Sequence, residues 1–153
     1  MSFALPADTY SPDQLSVLVL ELQDLAAAVR DAAARKDGSA PELSADLTAL
    51  LNENKIADND VAAIEQLAKD ASATLEQAPT VHILLAAMPG RVQKRQFVAW
   101  FRTQVHPLTL LTFAARSDLG GGAIVQAGSH LYDLSFRRGI IDAKARLTEI
   151  AGV

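Results

Sequence analysis

The stretch Asp118–Arg138, DLGGGAIVQAGSHLYDLSFRR, decides how this chain is read. Three consecutive glycines stand between two apolar runs, in a chain with no other adjacent pair of glycines. A phosphate-binding loop requires a strand, a glycine-rich turn and then a helix whose amino end faces the anion. Here the glycines lead into AIVQAGSHLYD, where two short apolar segments flank Gly128-Ser129, the pattern of a hairpin. No GK[ST] follows and no GxGxxG spacing is present. Gly120, Gly121 and Gly122 are therefore expected to turn the backbone, giving a bend or bulge through which the chain enters a new strand beside an old one.

Working outward, Ala123–Ala127 and His130–Leu134 read as the two arms of the hairpin. Upstream, the compact run Val81–Ala87 (VHILLAA) reads as a buried strand and Leu108–Ala115 (LTLLTFAA) as another. Between them, Arg91–Val105 has helical spacing, with Val92, Phe97, Trp100, Phe101 and Val105 expected inward and His106-Pro107 as its stop. Downstream, Asp133 or Ser135 can cap a last helix reaching about Ile150, with Ile140, Ile141, Ala145 and Leu147 for packing. Residues 79–153 thus make a small α+β domain, strand–helix–strand–strand–helix, with a Gly-rich hairpin.

Residues 1–78 read as a helical bundle of about three helices. Ser11-Pro12-Asp13-Gln14 carries the signature of a capping box with proline at the first helical position. Leu15, Leu18, Leu22, Leu25, Val29 and Ala32 then recur at steps of three and four, and the helix should stop near Gly38. This stripe either forms the bundle core or receives a partner's helix; Val17, Val19 and Leu20 widen it. A second helix is expected over Pro41–Asn52, with Leu43, Leu47, Leu50 and Leu51 inward. A third starts at Asp58 or Asp60, uses Val61, Ile64, Leu67, Ala68, Ala71 and Leu75, and ends before Pro79.

Composition narrows the function classes. Half the residues are apolar and about a fifth charged, as in globular domains. The chain has no cysteine, which removes disulfides, thiolate metal sites and thiol nucleophiles. MSFALPADTY has neither a positive run nor a long apolar run, so no signal peptide is expected, and HILLAAM is too short to cross a bilayer. Direct membrane insertion is not expected. The net charge of -4 hides a split: residues 1–80 carry five basic against fourteen acidic side chains, and residues 81–153 nine against four. Such halves attract each other or address different partners.

No constellation suggests catalysis. His82, His106 and His130 share no short ligand spacing, so no metal is expected. A triad of Ser135, His130 and Asp133 fails on strand alternation, because His130 points away from the other two, and Ser135 lacks a GxSxG elbow. Arg91, Lys94, Arg95 and Arg102 fall on one helix with aromatics at core spacing, in an acidic protein, which argues for a solvated basic face rather than a nucleic-acid site.

The order Leu119-Gly120-Gly121-Gly122, strand, Gly128-Ser129, Leu131-Tyr132-Asp133-Leu134-Ser135, Arg137-Arg138, preceded by VHILLAAMP and a helix, resembles the carboxy-terminal region of the delta subunit of F-type ATP synthases, whose mitochondrial counterpart is the oligomycin-sensitivity-conferring protein. The resemblance spans about residues 80–148; family members usually begin with six helices, where three are read here. It implies a non-catalytic peripheral-stalk (stator) subunit without cofactor. Its partners would be the catalytic-head subunits and the stalk helices, its place the cytoplasmic side of the inner or plasma membrane as a peripheral component, and its task to link head and stalk during proton-driven ATP synthesis. The structural motif is Gly120, Gly121, Gly122, Gly128, Asp133 and Ser135. Partner docking would involve Leu15, Leu18, Leu22, Arg91, Arg95, Arg137 and Arg138, the arginines facing an acidic helix. Two other readings stand beside it: a free-standing protein-interaction domain, and an E-type stalk subunit of a V- or A-type ATPase, whose long first helix the broken helices here match poorly.

Overall fold

The computed structural model describes residues 2–36 and 41–135. The expected last helix, with Arg137, Arg138, Ile140, Ile141, Lys144, Ala145, Arg146 and Leu147, lies outside the described residues.

The described chain is α+β, with helices first: α1 (Pro12–Arg35), α2 (Ala45–Glu53), α3 (Val61–Gln77), β1 (Thr80–Leu85), α4 (Arg91–Gln104), β2 (Leu110–Ala115), β3 (Gly122–Ala127) and β4 (His130–Ser135). The hairpin arms count separately, so the second half has one strand more than the expected order.

The start signals work as read. Ser11 Oγ accepts from Gln14 N–H at 3.2 Å while Gln14 Oε1 accepts from Ser11 N–H at 3.1 Å, a reciprocal capping box that satisfies two donors left over at the helix start. α1 ends on Lys36 in the left-handed conformation (φ 52°), before Gly38. α2 starts four residues later than expected, because Ser44 rather than Pro41 supplies the cap, accepting from Leu47 N–H at 3.1 Å. Asp60 caps α3.

The bundle core is aliphatic. Leu15, Leu18, Leu22, Leu25, Leu47, Leu50, Leu51, Ile64, Leu67 and Ala71 are all buried in it. Each large side chain removed from water contributes about 1.5–3 kcal/mol. The bundle also takes in Leu110 from β2, so the sheet unit completes it.

The sheet has the order β2-β1-β3-β4. β1 and β2 are parallel, joined through α4, and β3 runs antiparallel to both β1 and β4. Alternation along the strands sends Val81, Ile83, Leu111 and Phe113 to one face, where α4 covers them with Val98 and Phe101. The neighbours Leu110 and Leu111 thereby enter different cores, both fully buried.

Between β2 and β3 the chain makes a single 3-10 turn, Ser117–Leu119, and then passes through the three glycines at φ 67°, 142° and 73°. All three lie where residues with a Cβ are strained, which is why the turn takes glycine three times over. Ala127 pairs with His130 across the two-residue turn, as the sequence predicts. Gly121→Val is expected to lower stability by about 1–3 kcal/mol. Thermal melting checks this, and a variant melting with the parent would show that the glycines are not needed for the turn.

Candidate docking surfaces

α4 covers only the β2–β1 side of its sheet face. On the β3 side the same face presents Ala123, Val125 and Ala127, with Tyr132 of β4 beyond them. The flank of α4 opposite carries Phe97, Trp100 and Val105. The result is a groove of about 1160 Å³ along α4, with Met88 and Pro89 among its lining residues. Trp100 sits edge-on to Phe101, ring centroids 4.9 Å apart, and stays 58% exposed, with Val105 at 54%. This corrects the expected inward set. Val92, Trp100 and Val105 face outward, Phe97 is half-buried, and Val98, missed from the sequence, is buried. Trp100 and Val105 misled because they stand one helical flank away from the side that meets the sheet.

The described lining of the groove includes Gln93, Gln96 and Tyr132 as its polar side chains, and no carboxylate, histidine, lysine or arginine. Such a surface can bury an apolar stripe but offers no acid–base pair for chemistry.

A second exposed apolar site lies on α1. Leu15, Leu18 and Leu22 are in the bundle core, exposed by 0%, 2% and 0%, and so are not available to a partner. The stripe is core. The outer side of the same helix instead shows Val17 and Leu20, three residues apart and 55% and 62% exposed. Exposed Asp13 and Asp24 continue their row at four-residue steps.

The basic residues of α4 contact the protein's own amino-terminal segment, while Arg91 and Arg95 keep 76% and 49% of their side-chain surface exposed. Arg91 and Arg95 both bind Asp8, at 2.8 Å from Arg91 Nη2 to Oδ2 and 2.7 Å from Arg95 Nε to Oδ1. Lys94 lies over the rings of Tyr10 and Phe113, 5.9 and 5.8 Å from their centroids. Arg102 turns inward. Its Nη1 donates to the carbonyls of Leu5 (3.1 Å) and Pro6 (3.0 Å), and its Nη2 to that of Thr9 (2.7 Å). Part of the face expected for an acidic helix is thus engaged by the protein's own amino-terminal segment. The charge split between the halves acts inside the molecule here.

Electrostatics follow from these contacts. Hydrogen bonds from Arg95, then Arg91, hold the Asp8 carboxyl well below the usual carboxylate range. Burial lowers the Arg102 pKa, with Glu53 opposing. Because the folded-state pKa of Asp8 is depressed, its contribution to stability is complete above the unfolded value near 4 and is lost as pH falls through the folded value. The stability gap between the parent and Asp8→Asn is therefore expected to be constant from pH 8 to about pH 5 and to shrink below about pH 4. Urea melts across that range check it, and a gap that widens on acidification would contradict it.

The histidines are placed singly. His82 Nδ1 pairs with Thr112 Oγ1 across the β1–β2 ladder. His106 Nδ1 accepts from Leu108 N–H at 3.1 Å, and His130 lies beside Tyr132 with ring centroids 6.5 Å apart. Among the described residues no group of three histidine, cysteine or carboxylate side chains is placed to hold a metal. Asp133 lies within β4, at odd spacing from His130, and Ser135 is the last residue of that strand; the helix that either was expected to cap lies outside the described residues. Among the described residues no helix is long and apolar enough to cross a membrane.

No protein-family model matches the chain, and no curated protein does.

Proposed function

We propose that the protein is a non-catalytic connector, the delta-type peripheral-stalk subunit of an F-type ATP synthase. The observation that supports this most is the pair of exposed apolar surfaces on separate units, Val17–Leu20 on the bundle and the α4 groove on the sheet unit. A stator has to hold the catalytic head at one end and the stalk at the other.

The groove runs beside a helix of 14 residues, about 21 Å at 1.5 Å per residue. Its uncharged, apolar lining fits the apolar stripe of a stalk helix laid alongside α4. The Val17–Leu20 site, with Asp13 and Asp24 in its row, fits a head helix whose apolar seam is flanked by basic residues. Apolar contacts would supply most of the affinity and the charges the register. The reaction chemistry of the complex belongs to other subunits, and this one requires neither nucleotide nor metal. Its place is peripheral, on the cytoplasmic side of the energy-transducing membrane.

Trp100→Glu is expected to weaken binding of a stalk-helix peptide by at least tenfold, which corresponds to about 1.4 kcal/mol. The double substitution Val17→Asp with Leu20→Asp should leave that binding unchanged and weaken head binding instead. All three positions are exposed, so melting should move little. Calorimetric titration with each partner separates these outcomes. Equal binding by parent and variants would remove both surfaces from the function.

A further inference from the structure

Residues 3–11 begin and end on the helical bundle but spend their middle on the sheet unit. At the bundle end, Ala4 N–H donates to Asn54 Oδ1 at 2.9 Å and the Ala4 carbonyl accepts from Asn54 Nδ2 at 2.9 Å, which ties the segment to the end of α2. Leu5 is buried in the bundle core, and Phe3 packs against it. The chain then crosses to α4, where Arg102 gathers three of its carbonyls and Asp8 meets Arg91 and Arg95. Thr9 is 2% exposed. The Tyr10 carbonyl accepts from Leu111 N–H at 2.7 Å on the outer edge of β2, and its ring meets Phe113 edge-on at 5.6 Å. One residue later Ser11 caps α1, back on the bundle.

We propose that residues 3–11 are a strap that locks the helical unit to the sheet unit. With the strap fastened, the Ala78–Pro79 junction is not a hinge, and a load entering one unit is delivered to the other. Two features of the strap suit it to this. It makes two separate crossings between the units, which resists rotation better than one joint does. Its central clasp is a guanidinium, whose rigid fork of donors fixes the direction of several hydrogen bonds at once. This inference concerns the mechanics of the chain itself and does not rest on the stalk reading.

The rival lock is Leu110, which reaches from β2 into the bundle core. The chain provides a probe for each unit: its one tryptophan, Trp100, lies in α4, and three of its four described helices lie in the bundle. Urea melts of the full-length protein followed by Trp100 fluorescence and by far-UV circular dichroism should coincide. Arg102→Met cuts the strap at its central clasp and Asn54→Ala at its bundle end, and separation of the two transitions in either variant supports the strap. If Arg102→Met does not fold, Asn54→Ala, which leaves α4 untouched, carries the test. Coincident transitions in every variant that folds, whatever their midpoints, would assign the lock to Leu110 and overturn the proposal. Separate transitions in the parent protein would overturn it as well.

Discussion

Arg102→Met is expected to destabilise the protein by about 2–4 kcal/mol, among the largest effects of any polar substitution here. Three carbonyls, those of Leu5, Pro6 and Thr9, accept from this one guanidinium, and that of Pro6 accepts from Thr9 N–H as well. Hydrogen bonds to charged groups contribute about 1.5–3 kcal/mol each, and a buried acceptor left without a donor costs about 1–3 kcal/mol. Against this stands the cost of burying the charge, visible in the lowered pKa of Arg102 and in its Nε, which is buried without a partner among the described residues. Methionine removes that cost and fills most of the volume, so the net loss is well below the sum of three bonds. In a chain of this size the change corresponds to a fall in melting temperature of about 5–15 °C. Arg102→Lys keeps the charge but not the fork, and should fall between the parent and Arg102→Met. Methionine and lysine variants melting together with the parent would show that the carbonyls find water instead.

Leu110→Ala is expected to cost about 2–5 kcal/mol. Leu110 is fully buried, and it is the one sheet residue counted in the described core of the bundle. Truncation leaves a cavity where the bundle meets the sheet, walled by helices on one side and by the start of β2 on the other. Those walls belong to different units and cannot both collapse inward, which places the cost toward the upper part of the range. Leu111→Ala, one residue on, empties the other core instead. The two substitutions should each destabilise by a similar amount, and a melting temperature for Leu110→Ala within a degree or two of the parent would contradict the shared core.

The periodic parts of the fold were legible in the sequence, and the non-local parts were not. The Leu15–Leu25 spacing, the Ser11–Gln14 box and the Gly128-Ser129 turn each depend on residues a few positions apart, and each is present as read. The sense of the three glycines was likewise legible, because nothing in Ala123–Leu134 resembles the start of a helix. On α4 the reading failed for a physical reason. Phe97, Trp100, Phe101 and Val105 outweigh Val98 in apolar surface, so a periodicity search centres on them. Of these only Phe101 is buried, beside Val98, and the flank with Trp100 becomes the groove wall. The partners of the basic residues on the same helix were not legible, because the carboxylate and carbonyls they bind lie about ninety positions earlier in the chain. Only one signal pointed there: the acidic balance of residues 1–80 against the basic balance of residues 81–153.

The measurement that tests the connector most directly is sedimentation of the full-length protein with the F-type catalytic head and a soluble stalk segment, both from the same source organism as the chain. The account predicts a ternary complex, with the chain bound to both at once. It further predicts that Val17→Asp with Leu20→Asp releases only the head and that Trp100→Glu releases only the stalk segment. Sedimentation of the chain apart from both partners, or competition of the two for one surface, would contradict it.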